Sequence, residues 1–236
     1  MNPRDRLIVA LDTDSEEKAV KLVSELKNDV SIFKVGLELF SSCGSRIVER
    51  IRQAGDSVFL DLKFHDIPNT VAKASVCATR MRPFMFNVHA LGGCDMMRNS
   101  ATSAREEALK LGFPPPKVLA VTVLTSMDEK ALLKIGIGDN METEVLRLAE
   151  MAKSAGLDGV VASPSETRLI RQKLGKAFLI VTPGIRPNWA AANDQKRIAT
   201  PAAAIKSGAD FIVVGRPITE AKDPAEAAKA VLREMS

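Results

Sequence analysis

One alternation, repeated eight times, constrains this chain more than anything else in it. Short runs of β-branched and other apolar residues recur at about 6–12, 31–37, 57–64, 84–90, 117–125, 158–163, 178–183 and 210–216, and longer helical patterns fill the gaps. Runs such as Leu7-Ile-Val-Ala10 and Phe211-Ile-Val-Val214 are apolar without interruption. A strand reads that way when both of its faces are buried. Strands alternating with helices imply a parallel sheet with right-handed crossovers. Eight such units in 236 residues predict an α/β fold, a single (β/α)8 TIM barrel with one domain over 1–236. A doubly wound open sheet has the same periodicity and competes with it.

Local signals place the helices. Ser15 followed by Glu16 and Glu17 predicts an N-cap with acids in the first turn. Further helices are expected at about 41–54, closed by Gly55, and at 69–80, 93–111, 140–155, 165–174, 199–207, closed by Gly208, and 223–234, because glycine just past the last turn is a stop signal. The stretches 136–140 and 184–196 read as loops, the second long enough to cover an active site.

Several function classes are disfavoured at this point. Basic and acidic residues number 33 and 29, a net charge of +4, and aromatics are only 4%. That excess suits an anionic small molecule. Without basic runs interleaved with rings, no nucleic-acid partner is expected. No run approaches the ~20 apolar residues of a membrane span. Cys43, Cys77 and Cys94 are odd in number and far apart, which argues against a disulfide framework or structural zinc and fits a reducing cytoplasm. The first apolar run is short and broken by Asp12, so it reads as a strand, not a signal peptide.

Polar residues stand at the C-terminal end of almost every predicted strand: Asp12, Lys34, Asp61 with Lys63, Asn87 with His89, Thr125 with Ser126, Ser163, Pro183 with Gly184, and Gly215 with Arg216. In α/β barrels that end carries the active site. Asp61 and Lys63 are two apart, so they point the same way about 6.6 Å apart along the strand, toward the barrel interior, while Leu60, Leu62 and Phe64 face the helices. Lys34 on the neighbouring strand can share that mouth, with Phe33 and Val35 facing outward. Opposite charges ~4 Å apart interact by roughly 4 kcal/mol at an effective dielectric near 20. Lys34, Asp61, Lys63 and Asp66 could therefore hold one another ionised, either for catalysis or as a structural ion-pair network.

Val213-Val-Gly-Arg-Pro-Ile218 is a second constellation. Gly215 permits close backbone approach, a helix starting near Pro217 aims its positive end at the mouth, and Arg216 adds a fork of donors suited to phosphate. A tight turn with a solvent-facing arginine is the plainer alternative. Asp66-Ile-Pro-Asn-Thr70 opens a helix, and Asp66 or Asn69 could simply cap it. His65 and His89 have no HxH or HExxH spacing. A metal held by His89, Asp61 and Asp66 is less favoured than a hydrogen-bonded structural histidine.

Taken together, Asp61-x-Lys63-x-x-Asp66-Ile67-Pro-Asn-Thr70 resembles the signature of the orotidine 5'-phosphate decarboxylase family. The likeness extends to Leu7-Ile-Val-Ala-Leu-Asp12, Phe33-Lys-Val-Gly36, Asn87-Val-His-Ala-x-Gly-Gly93, Val123-Leu-Thr-Ser126, Val181-Thr-Pro-Gly-Ile-Arg186, Asp194-Gln-Lys-Arg-Ile198 and Val213-Val-Gly-Arg-Pro-Ile-Thr219. The resemblance implies a homodimer of barrels converting OMP to UMP without metal or organic cofactor. Lys63, Asp61, Lys34 and Asp66 would be its catalytic residues. It implies that Asp12 and Lys34 hold the ribose, that Asp61 faces the substrate carboxylate, and that Lys63 protonates C6. It further implies that Asp66 and Thr70 reach across the dimer interface, with Ile67 also in the substrate-binding set. Thr125 and Ser126 would contact the pyrimidine, Pro183 would line the site, Gln195 would link a closing loop to phosphate and base, and Arg186, Gly215 and Arg216 would serve the phosphate.

Two rivals remain on sequence alone. One is a Mg²⁺-dependent sugar-phosphate decarboxylase or hexulose-phosphate synthase sharing the Asp-x-Lys-x-x-Asp core, against which the Ile67-Pro-Asn-Thr70 continuation speaks. The other is a non-catalytic phosphate-ligand sensor, against which the full Lys34/Asp61/Lys63/Asp66 set speaks.

Overall fold

The computed structural model describes residues 2–138, 140–190 and 199–235. Eight parallel strands form a closed barrel in sequence order: β1 (Leu7–Ala10), β2 (Ile32–Gly36), β3 (Ser57–Phe64), β4 (Met85–His89), β5 (Lys117–Val121), β6 (Gly159–Val161), β7 (Leu179–Thr182) and β8 (Phe211–Val214). Closure is the pairing of β1 with β8, Ile8 opposite Val213 and Val9 opposite Val214. It decides between the two architectures that periodicity left open.

Alternation along the strands separates two apolar layers. Ile8, Ala10, Ile32, Phe59, Met85, Leu119, Val181, Phe211 and Val213 pack into one buried cluster, the filling of the barrel. Leu7, Val9, Phe33, Val35, Val58 and Leu60 belong to the other, the layer between strands and helices. Phe33, Val35 and Leu60 thus face outward as expected, and Leu62 and Phe64 pack against the same outer layer.

Around the barrel run α1 (Glu16–Leu26), α2 (Leu37–Cys43), α3 (Arg46–Gln53), α4 (Pro68–Arg80), α5 (Gly93–Lys110), α6 (Glu129–Lys134), α7 (Met141–Ser154), α8 (Pro164–Leu174), α9 (Pro201–Ser207), α10 (Arg216–Thr219) and α11 (Pro224–Glu234). Ser15 caps α1 by accepting the Lys18 N–H at 3.3 Å. Two helical expectations need correction. The 41–54 helix is two helices, because Gly44 takes φ +65, a left-handed conformation that stops α2 and that glycine adopts at no steric cost. The short α6 went unforeseen. Leu132 is its one buried residue, too little to set a period, although Asp128 caps it by accepting the Ala131 N–H at 3.0 Å.

The barrel's N-terminal face is tied by charged side chains that bond backbone. Asp158 accepts the Val118 N–H at 2.9 Å, and Asp210 accepts the Ile180 N–H at 2.7 Å. Arg171 fastens α8 to the loops before β7 and β8. Its guanidinium donates to the carbonyls of Gly175, Phe178 and Gly208 and pairs with Asp210 at 2.6 Å. Removing a largely buried ion-pair partner leaves the other charge and several carbonyls unsatisfied. Arg171→Ala is therefore expected to lower stability by about 3 kcal/mol and to leave catalysis at the opposite end unaffected. Urea unfolding checks the first part and steady-state kinetics the second.

Candidate active site

Residues of β2 and β3 and of the segment just after β1 build a charged chain at the barrel mouth. Lys34, at the middle of β2, places Nζ 3.1 Å from Asp12 Oδ1 and 3.5 Å from Asp61 Oδ2. Lys63 Nζ stands 2.8 Å from Asp61 Oδ1. Asp61 is 9% exposed, so its charge exists only because of this company. Burial alone would push its carboxyl up. The Lys34 and Lys63 ammoniums, with hydrogen bonds from Lys63 and Asn87, outweigh burial and hold it below the usual carboxylate range. Lys34 mirrors this: burial pushes its ammonium down, and Asp61 and Asp12 more than reverse it, leaving its pKa raised.

β3 is not a regular strand where it carries these groups. Leu60 pairs with Phe86 on β4, and the next matched pair is Phe64 with Val88. Three residues, 61–63, therefore stand against the single residue Asn87. Lys63 takes up the slack with φ +50, a conformation uncommon for a non-glycine residue and found where a bulge re-aims a side chain. Asn87, fully buried, fits into the gap. It donates from Nδ2 to Asp61 Oδ1 at 2.6 Å and accepts the Lys63 backbone N–H at 2.8 Å. Sequence inspection placed Asn87 at the end of β4 and gave it no role. The signal that could have found it is a polar amide in an otherwise apolar buried strand.

Two hollows meet over this chain. One, about 150 Å³, is floored by Phe59, Val121, Val161 and Val213 and edged by Lys34, Asp61, Lys63, Thr125 and Pro183. Its neighbour, about 200 Å³, is polar, lined by Asp12, Gly184, Arg186, Gly215 and Arg216. Lys34, Pro183 and Val213 line both, so together they make one cleft with an apolar end, a charged middle and a cationic end. α10 begins at Arg216, immediately after Gly215.

The remaining expected site residues fall elsewhere. Asp66 does not join the charge chain. Its Oδ1 accepts the neighbouring Ile67 N–H at 2.6 Å, and the acid that completes the chain is Asp12. Asp66, Ile67 and Thr70 are all exposed at the start of α4. Ser126 is exposed on the turn after β5 and lines neither hollow. The base of the 184–196 loop is pinned, with the Arg186 N–H on the Ala199 carbonyl at 2.9 Å and Ala199 N–H on Gly184 at 3.2 Å. Gln195, with the rest of the Asp194–Ile198 motif, lies outside the described residues.

His65 and His89 stack with ring centroids 5.3 Å apart, and His89 Nδ1 accepts the Leu91 N–H at 3.3 Å. The pair knits together the loops after β3 and β4. Among the described residues no three His, Cys, Asp or Glu side chains gather as metal ligands.

The sequence profile of the Orotidine 5'-phosphate decarboxylase / HUMPS family matches residues 5–231. The chain is 53% identical to a protein of Syntrophomonas wolfei named orotidine 5'-phosphate decarboxylase, over all of this chain and 99% of that one. It is 52% identical to one of the same name from Syntrophotalea carbinolica, covering 99% and 96%. A crystal structure of orotidine 5'-phosphate decarboxylase from Lactobacillus acidophilus superposes with a TM-score of 0.87 at 41% identity, covering 98% and 99%.

Burial, then the nearby His65 and Lys63, lowers the His89 pKa from 6.5 to about 4. As pH falls below the unfolded value, the unfolded chain takes a proton that the folded chain refuses until about pH 4, so stability is lost across that window. His89→Asn is expected to make this loss shallower. Urea midpoints at about pH 7 and about pH 5 read the difference; equal slopes in variant and wild type contradict it.

Proposed function

The chain belongs to the Orotidine 5'-phosphate decarboxylase / HUMPS family and converts orotidine 5'-monophosphate to UMP and CO₂; from that premise we propose how its residues divide the work. The observation that carries the proposal is the joined cleft. Its cationic end is cut for phosphate and its apolar end for a flat ring, and the charge chain lies between them.

In this reading the phosphate binds Arg186, Gly215 and Arg216, where guanidinium donors and a side-chain-free backbone converge. Asp12 and Lys34 hold the ribose. Thr125 and Ser126 take polar positions on the pyrimidine, Pro183 lines the cleft, and Gln195 joins the 184–196 loop to phosphate and base. The C6 carboxylate then faces Asp61. Two carboxylates ~4 Å apart repel by roughly 4 kcal/mol at an effective dielectric near 20, a repulsion relieved as CO₂ leaves. The C6–carboxylate bond breaks, its electron pair remains on C6, and the Lys63 ammonium first attracts that charge and then transfers its proton to C6. Solvent reprotonates Lys63. The carbanion has no ring or cofactor sink, so stabilisation falls to charges fixed before the substrate arrives. Phosphate binding is remote from C6 and can drive loop closure that aligns them.

Cofactor-free action is part of the proposal. Lys34 Nζ already bridges Asp12 and Asp61, a place that a divalent cation would contest, and this favours the decarboxylase over the Mg²⁺-dependent sugar-phosphate reading. A homodimer is also part of it. Asp66 and Thr70 have no part in the cleft of their own subunit, and Ile67 beside them exposes apolar surface, at 66%. That rim suits a partner subunit receiving Asp66 and Thr70 in its site. Among the described residues no helix is long and apolar enough to cross a membrane. A cytoplasmic location is supported by cysteines that are all free.

Lys63→Ala is expected to lower turnover by about 10³-fold or more, followed by the loss of OMP absorbance, while the folded barrel still binds UMP. A near-normal kcat refutes the proton-donor role. Mixing inactive Lys63→Ala with inactive Asp66→Ala chains should restore activity, because one of the two sites in a mixed dimer then regains both residues. No gain on mixing contradicts the shared site.

A further inference from the structure

We infer that Asn87 is a positioning residue for decarboxylation, setting both the orientation of the Asp61 carboxylate and the backbone conformation that aims Lys63. The inference rests on the function proposed above. It starts from a count: between two matched pairs of the β3–β4 ladder, three residues of β3 face one residue of β4. A parallel ladder interrupted in this way leaves backbone donors without strand partners, and a buried N–H without an acceptor is destabilising. The Lys63 N–H is such a donor, and Asn87 Oδ1 takes it at 2.8 Å.

The other end of the same amide donates to Asp61 Oδ1 at 2.6 Å, the oxygen that also accepts Lys63 Nζ at 2.8 Å. One planar group therefore grips the Lys63 main chain and the carboxylate that receives the Lys63 side chain. Lys63 holds φ +50, and a non-glycine residue stays in that region only where its surroundings enforce it. Asn87 is the group that bonds this backbone and enforces it. It lines neither hollow, so it acts through Asp61 and Lys63 and not on the substrate.

Chemistry requires an amide at this place. The site needs a donor toward a carboxylate and an acceptor toward an N–H, on a short side chain without charge. An aspartate at 87 keeps the acceptor but, when ionised, turns a second negative oxygen toward Asp61. Two carboxylates in contact raise the affinity of one for a proton. Once protonated, the aspartic acid again donates to Asp61 and accepts from Lys63.

Asn87→Ala is expected to lower kcat on the order of 100-fold while KM for OMP and affinity for UMP stay close to wild type, and a crystal structure should show Lys63 out of the left-handed region. For Asn87→Asp, the ratio of its kcat to that of wild type should rise as pH falls, a dependence that lost packing alone does not produce. If Asn87→Ala does not fold, the near-isosteric Asn87→Asp carries the test. Wild-type kcat in both variants, a flat ratio for Asn87→Asp, or an unchanged Lys63 φ in Asn87→Ala would overturn the inference. A wild-type protein inactive on OMP would instead sink the proposed function, leaving the Lys63 φ measurement to decide the positioning role.

Discussion

The Asp61 carboxylate is charged in a place where an isolated charge could not stay. Taking such a group out of water costs several kcal/mol even after relaxation, and Asp61 is buried at the mouth of a barrel filled with aliphatic side chains. Its ionisation depends on Lys34 on one side, Lys63 on the other, and the Asn87 amide on the oxygen that Lys63 shares. Lys34 depends on it in return. A set so coupled is stable only near electrical balance.

Rigidity follows from where these groups are mounted. Lys34, Asp61 and Asn87 sit on strands paired on both edges, and their neighbours in sequence are locked into the outer core. Such elements hold side chains more closely than loops do. The cationic end of the cleft is built differently. Gly184 and Arg186 stand at the base of a loop, and Gly215 and Arg216 at the turn into α10. The charge chain is thus held by the barrel strands themselves, whereas the cationic end is held by the turns that follow β7 and β8.

One departure from regular structure links the two ideas. Strict alternation would already put Asp61 and Lys63 on one face; here the bulge opposite Asn87 and the left-handed Lys63 set their pairing instead, and ladder pairing is lost over these residues. Irregularities of this kind gather at functional sites because the surrounding fold is stable enough to sustain them.

The sequence by itself determined the strand and helix order, because burial on both faces of a strand and one face of a helix leaves periods that a linear text carries. It also singled out the strand ends as the place for a site and Asp61, Lys63, Lys34 and Arg216 as its candidates, and the structure lines one cleft with all four. It did not show that Asp12, not Asp66, completes the charge chain. That depends on β1 lying beside β2 and on which way the chain turns after Phe64. Closure of the sheet, the break at Gly44, the short α6 and the work of Asn87 were likewise decided only in three dimensions. The reason is common to them: each rests on a pairing between segments distant in sequence or on one residue's dihedral angle, and neither leaves a period to read.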